Sequence, residues 1–270
     1  MNAGAPTSGT RSRSGWTTAD AVVVIVAAHV ALVLVGAIVV GNAATAAEVP
    51  VWRQFAATAP FWVVALVGTV RLVGRGISSP RVDAARVDAA RVDAARVDAA
   101  SGGPVGMVDA LGLRPPSGWR VGALDVLGAA AGGVVAQLVL IPAVYAPLLR
   151  LFDTSSDALE KPARELVAAA TSPTDRVLLT VMVCVMAPLV EELLYRWVLF
   201  TPLARRSAAG AIAITAVVFG AAHFQPLQFV GLALLGVFNA VLVARRGWLG
   251  PAIASHVAFN LATLIVLWLA

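Results

Sequence analysis

About seven apolar blocks follow one another along this chain, at residues 21–44, 55–73, 121–149, 177–203, 209–224, 227–244 and 248–269. Nothing else in the sequence restricts the fold so tightly. A helix needs roughly 20 consecutive apolar residues to cross a bilayer core, and most of the blocks come close to that length or exceed it. The apolar residues run on without the alternation of a half-buried strand or the stripe of a surface helix. Inside lipid every backbone donor must be satisfied within the protein, which leaves helices and closed barrels. The chain is therefore expected to be all-α, a polytopic membrane helix bundle of about seven transmembrane helices.

Composition agrees. Hydrophobic residues make up 59% of the chain and charged ones only 13%, against roughly a quarter charged in soluble domains. The formal charge of +5 does not indicate nucleic acid, because the basic residues are scattered between apolar blocks with no phosphate-tracking patch. The partner this composition implies is the lipid bilayer. A lone cysteine, Cys184, excludes an intrachain disulfide and a cysteine metal cluster. The first apolar block is too long for a signal-peptide core and lacks a convincing cleavage site, so it reads as a retained helix.

Arginines order the topology. Lys and Arg collect in short cytoplasmic loops, and Arg11 and Arg13 place the N-terminus inside. Arg71 to Arg120, Arg205–Arg206 and Arg245–Arg246 then fall inside as well. Glu48, the stretch 153–175 and the Gln225–Pro226 turn fall outside. The expectation is a multi-pass cell-membrane protein with a cytoplasmic N-terminus and an outside C-terminus. It divides into a polar tail (1–18), two N-terminal membrane helices (19–74), a cytoplasmic linker (75–119) and a helical core (120–270). Within 153–175 a short helix is expected around 158–170, followed by a helix start at Ser172-Pro173, where serine can cap and proline is tolerated in the first turn.

The linker holds four identical copies of Arg-Val-Asp-Ala-Ala at 81–100. Each copy is neutral, and Asp83 can reach Arg86 at a helical i,i+3 spacing. A five-residue step turns a helix by about 500°, so no continuous apolar seam forms. The repeat reads as a solvated spacer of partial helicity, expected to be dispensable, with a partner-binding segment as the alternative.

Ionisable groups inside membrane spans are expensive and mark function by default. Those lying deep are His29, Glu191, Glu192, Arg196, His223 and His256. Pro188 stands just before the acids and kinks the helix. Glu192 and Arg196, at i,i+4, share a face and can pair, while Glu191 points about 100° away. The bland alternative is a snorkelling cluster at a helix end, but the chain continues apolar from Leu193 to Leu203. Phe219 and His223 form a second i,i+4 pair; alone, that histidine would read as a packing residue. His256 and Asn260 form a third, for which a helix–helix hydrogen bond is the plain alternative.

Taken in order, Glu191-Glu192-x-x-x-Arg196, Phe219-x-x-x-His223 and His256-x-x-x-Asn260 resemble the motifs of the CPBP family of intramembrane peptidases. That family includes type II CAAX prenyl endopeptidases and bacteriocin-processing or immunity proteins. The resemblance covers roughly residues 173–269, and Ala187-Pro188 and Gly250-Pro251 fit it too. One position departs: the family usually has glycine after the motif arginine, and here Trp197 stands there, which bears on close helix packing. Residues 1–120 find no support in it.

Peptide hydrolysis inside lipid needs a base, a confined water and donors for the oxyanion. Glu191 is the expected base, with His223 holding or deprotonating the water. His256 and Asn260 donate to the oxyanion, as the resemblance also implies, and Glu192 with Arg196 is the supporting pair. No serine or cysteine sits in an equally complete set, which argues against a covalent nucleophile. A zinc site on Glu191, His223 and His256 is chemically reasonable; without a His-Glu-x-x-His signature, the cofactor-free glutamate reading ranks ahead. The substrate is then a membrane-associated peptide or protein, and the three side chains should lie within one or two water lengths of one another. The rivals are a catalytically silent immunity or scaffold protein, and a proton- or cation-coupled transporter, for which no internal repeat of helices is found.

Overall fold

Polar residues at the edges of the apolar blocks set where the helices begin. The computed structural model describes residues 15–77, 106–115 and 118–270. Residues 1–14 of the tail and the repeat at 81–100 lie outside the described residues. Helix α1, Thr18–Val40, opens at Thr17, whose hydroxyl accepts from the Asp20 amide while the Asp20 carboxylate accepts from the Thr17 amide. That reciprocal cap satisfies two donors with no intrahelical partner. Gly41 closes the helix at φ 69°, a conformation that favours glycine. Helix α2, Val51–Ile77, folds back against α1. After a short α3, Met107–Ala110, come α4, Trp119–Leu151, and the polar α5, Ser156–Ala169. The last four are α6, Pro173–Ala204; α7, Ala208–Ala221; α8, Phe229–Arg246; and α9, Gly250–Leu269. No strand occurs among the described residues.

Six of these helices, α1, α2, α4, α6, α8 and α9, are long and apolar enough to cross a membrane. Helix α7 is the difference from the expected span at 209–224. It has 14 residues, about 21 Å at 1.5 Å each, against a hydrocarbon core of about 30 Å. Its chain leaves the helix through His223 and through Phe224, at φ 54°, just ahead of Pro226. The all-α bundle of about seven helices stands, with α7 its short member.

Helix α6 organises the interior. Ser172 caps it with Pro173 in the first turn, and Asp175 returns the bond to the Ser172 amide. Leu179, Val190, Leu194 and Val198 then bury in a core shared with α1, α2, α7, α8 and α9. Two stretches of α6, Val181–Met186 and Glu192–Leu199, are wound as π-helix, a widening common at functional sites. Helices α4 and α9 close on each other at Gly133, where a methyl group would run into the Ser255 carbonyl.

Trp197 packs and bonds at once. Its indole N–H donates to the Ala110 carbonyl at 2.8 Å, and its ring lies where a side chain at Gly112 would be, with Gly112 itself at φ 66°. The Gly112 carbonyl accepts from the Leu249 amide at 2.8 Å. The chain around α3 is thereby fixed to both α6 and α9, in the space that a smaller residue would leave beside Arg196.

Candidate active site

The site is built outward from Glu192, which is fully buried together with Arg196. Glu192 Oε2 lies 3.2 Å from Arg196 Nε, an ion contact off the line of a good hydrogen bond. Its Oε1 accepts from His256 Nδ1 at 2.8 Å and from Asn239 Nδ2 at 3.1 Å. A buried charge is tolerated only when paired and hydrogen-bonded, and α8 and α9 supply those bonds to an acid on α6. The guanidinium sits 4.2 Å above the Phe219 ring, a cation–π contact worth about 2 kcal/mol when desolvated. Phe219 also meets the rings of His223, His256 and Tyr195 edge-on, at 4.8, 5.6 and 5.5 Å between centroids.

These partners decide what each histidine presents. Glu192, as a carboxylate, only accepts, so His256 Nδ1 carries the proton and the neutral ring offers Nε2 as a lone pair. His223 Nδ1 lies 2.7 Å from the Phe219 carbonyl, which fixes the same tautomer. Both Nε2 atoms stand 3.9 Å from Glu191 Oε2. That oxygen is buried and has no hydrogen-bond partner among the described residues. Glu191, His223 and His256 thus converge, three acceptors facing one another with no donor of their own between them.

The separations bear on metal. Tetrahedral zinc about 2.1 Å from its ligands sets them about 3.4 Å apart, closer than the two 3.9 Å separations here. Among the described residues no group of three or more His, Cys, Asp and Glu side chains is arranged to hold a metal ion. As they stand, the donor types suit zinc and their spacing does not.

Asn260 has another attachment. Its amide donates to the Val183 carbonyl at 2.8 Å, and the reason lies in α6. In the π-wound stretch the Ala187 amide bonds to the Met182 carbonyl, five residues back. The next residue, Pro188, has no N–H. Val183 therefore loses its helical donor from both sides, and Asn260 supplies one from α9. Sequence reading missed this bond and missed Asn239. The signal for Asn239 was present: an amide in the middle of an apolar helix wants a partner as an ionisable group does.

Residues 173–262 match the family described as type II CAAX prenyl endopeptidase Rce1-like. No curated protein and no solved structure matches the chain. The matched segment contains Glu191, Glu192, Arg196, Phe219, His223, Asn239, His256 and Asn260, every residue from which the site has been built. That segment, a third of the chain, is similar to the type II CAAX prenyl endopeptidase Rce1-like family, and the match supports the resemblance to the CPBP intramembrane peptidases.

Proposed function

We propose that the chain is an intramembrane endopeptidase in which Glu191 activates a water to cut a membrane-associated protein or peptide. The observation that carries this reading is the unpartnered, buried Glu191 Oε2 between two histidine lone pairs. A water held here donates its two hydrogens to two of these three acceptors, Glu191 Oε2 among them, which leaves its own lone pairs free for a carbonyl carbon. Attack forms the C–O bond while the proton passes to Glu191, as general base catalysis requires. Collapse of the tetrahedral intermediate breaks the C–N bond, and Glu191 returns the proton to the leaving amine. Asn260 has two N–H groups; one is held by Val183 and the second serves the oxyanion. Proton uptake at His256 Nε2 turns that nitrogen into a second donor, with Glu192 holding the far edge of its ring. Glu192, Arg196 and Asn239 keep these groups in place.

The test uses the full chain in proteoliposomes and a fluorogenic peptide with an apolar membrane anchor. Glu191→Ala and His223→Ala are expected to stay folded and monodisperse and to lose about 10²–10⁴-fold in rate. Full turnover by Glu191→Ala overturns the assignment. The same wild-type protein is expected to hold far less than one zinc per chain and to keep its activity after exhaustive chelation. Stoichiometric zinc, with activity lost on removal and restored by the metal, makes the three side chains ligands instead.

A further inference from the structure

The chain has three histidines, and His29 is the one the proposed chemistry does not use. It lies on α1, outside the segment 173–262 that carries the family match. Its Nδ1 lies 2.8 Å from the Ile25 carbonyl one turn back. A carbonyl only accepts, so Nδ1 carries the proton and Nε2 is the acceptor in the neutral ring. The Tyr195 hydroxyl is 3.4 Å from that Nε2 and donates to it. Tyr195 is buried on α6, four residues past Glu191 on the same side of the helix, and its ring rests on Phe219. Phe61 of α2 and Phe224, next to His223, bracket the His29 ring edge-on at 5.1 and 6.3 Å. Through Tyr195 the third histidine is thus linked to Phe219, which the other two meet edge-on.

We propose that His29 is a positioning residue, which acts through the Tyr195 hydroxyl to fix the phenol beside Glu191 and makes the α1–α2 hairpin one wall of the active site. This inference rests on the peptidase reading. A buried hydroxyl must have an acceptor, since leaving it unpaired costs about 1–3 kcal/mol. With Nε2 in place the phenol proton is held by His29. Without it the hydroxyl must find another acceptor, and the Glu191 carboxylate stands one turn back on the same side of α6. A hydroxyl turned onto that carboxylate occupies the lone pair that receives the proton of the attacking water. The effect falls on the chemical step and leaves substrate affinity alone.

The first arm measures kcat and KM for the anchored peptide in the full-length protein. His29→Leu is expected to lower kcat about tenfold, the worth of one hydrogen bond, with KM unchanged. His29→Gln, whose carbonyl accepts, restores most of the rate. In a Tyr195→Phe background His29→Leu costs nothing further, because there is no hydroxyl left to misdirect. The same loss with and without the hydroxyl overturns the proposal, and so does a His29→Gln protein as slow as His29→Leu. The second arm needs no activity: with ¹⁵N-labelled imidazoles, the His29 Nε2 resonance is expected to be that of an unprotonated nitrogen and to shift in Tyr195→Phe. A protonated Nε2, or a resonance unmoved by Tyr195→Phe, also overturns it. If Glu191→Ala keeps full turnover the peptidase reading fails, while the imidazole spectrum still decides the His29–Tyr195 pair.

Discussion

Helices α5 and α6 carry acid–base pairs at the same i,i+4 spacing and set them in opposite surroundings. On α5, Arg164 pairs with Glu160, and Lys161 Nζ stands 3.9 Å from Glu165, with the basic side chains 47% and 69% exposed. On α6, Glu192 and Arg196 are 3.2 Å apart and both wholly buried. Water screens the first set, and such pairs contribute about 0–1 kcal/mol. No water screens the second, and each buried ion costs several kcal/mol that its neighbours must offset. Those neighbours are His256, Asn239 and the face of Phe219, contributed by α9, α8 and α7. The difference teaches that spacing creates a pair and the elements around it decide its worth. On α5 the pairs stiffen a polar helix; on α6 the pair gathers three other helices around one carboxylate.

The comparison breaks most visibly at Arg196. Arg196→Ala strands Glu192 without its cation, and Glu192→Ala strands the guanidinium; removing one partner of a buried pair costs about 3–5 kcal/mol. Both variants are expected to lose folded yield along with activity, read as loss of the monodisperse peak in size-exclusion chromatography. Monodisperse, fully active Arg196→Ala contradicts the role given to the pair. Asn239→Ala ranks next. It removes one of two N–H donors on Glu192 Oε1 and leaves the charge pair intact, a loss of about 1–3 kcal/mol. The expected protein is folded, with a lower unfolding temperature and reduced turnover. An unchanged melting curve with unchanged turnover removes Asn239 from the site.

The same contrast marks what was legible in the sequence. Membrane helices declare themselves in composition, because lipid leaves a chain few choices. The α6 start was readable from Ser172 and Pro173, since capping depends on residues next to one another in the chain. The Glu192–Arg196 pairing was readable for the same local reason. What escaped is what depends on other helices. The Asn239 bond joins residues 47 apart in sequence, and the Asn260 bond to Val183 joins residues 77 apart. The latter also needs a π-wound turn that no residue pattern announced. Trp197 was visible as a departure from the family, but its partners at Ala110 and Gly112 belong to a stretch the resemblance does not reach. Apolar composition overstates helix α7, because it runs on to Phe224 while the backbone turns before it.

The smallest expected effect sharpens the comparison on the α5 side. Lys161 and Glu165 form one ion pair, but only Glu165 does a second job: its Oε2 accepts from the Ala46 amide at 3.3 Å, tying α5 to the turn between α1 and α2. If exposed charge pairs on this helix contribute little, Lys161→Ala changes stability by no more than about 0.5 kcal/mol, and added salt changes it no further. Glu165→Ala removes the same ion pair and also leaves the Ala46 amide without its carboxylate, so it is expected to cost about 1 kcal/mol more. Thermal unfolding of the two variants at low and high salt separates the contributions. Equal losses from both, abolished by salt, assign the whole effect to the charge pair and remove the tie. A larger, salt-resistant loss in Glu165→Ala alone assigns it to the backbone bond, leaving charge pairing on α5 as weak as its exposure requires.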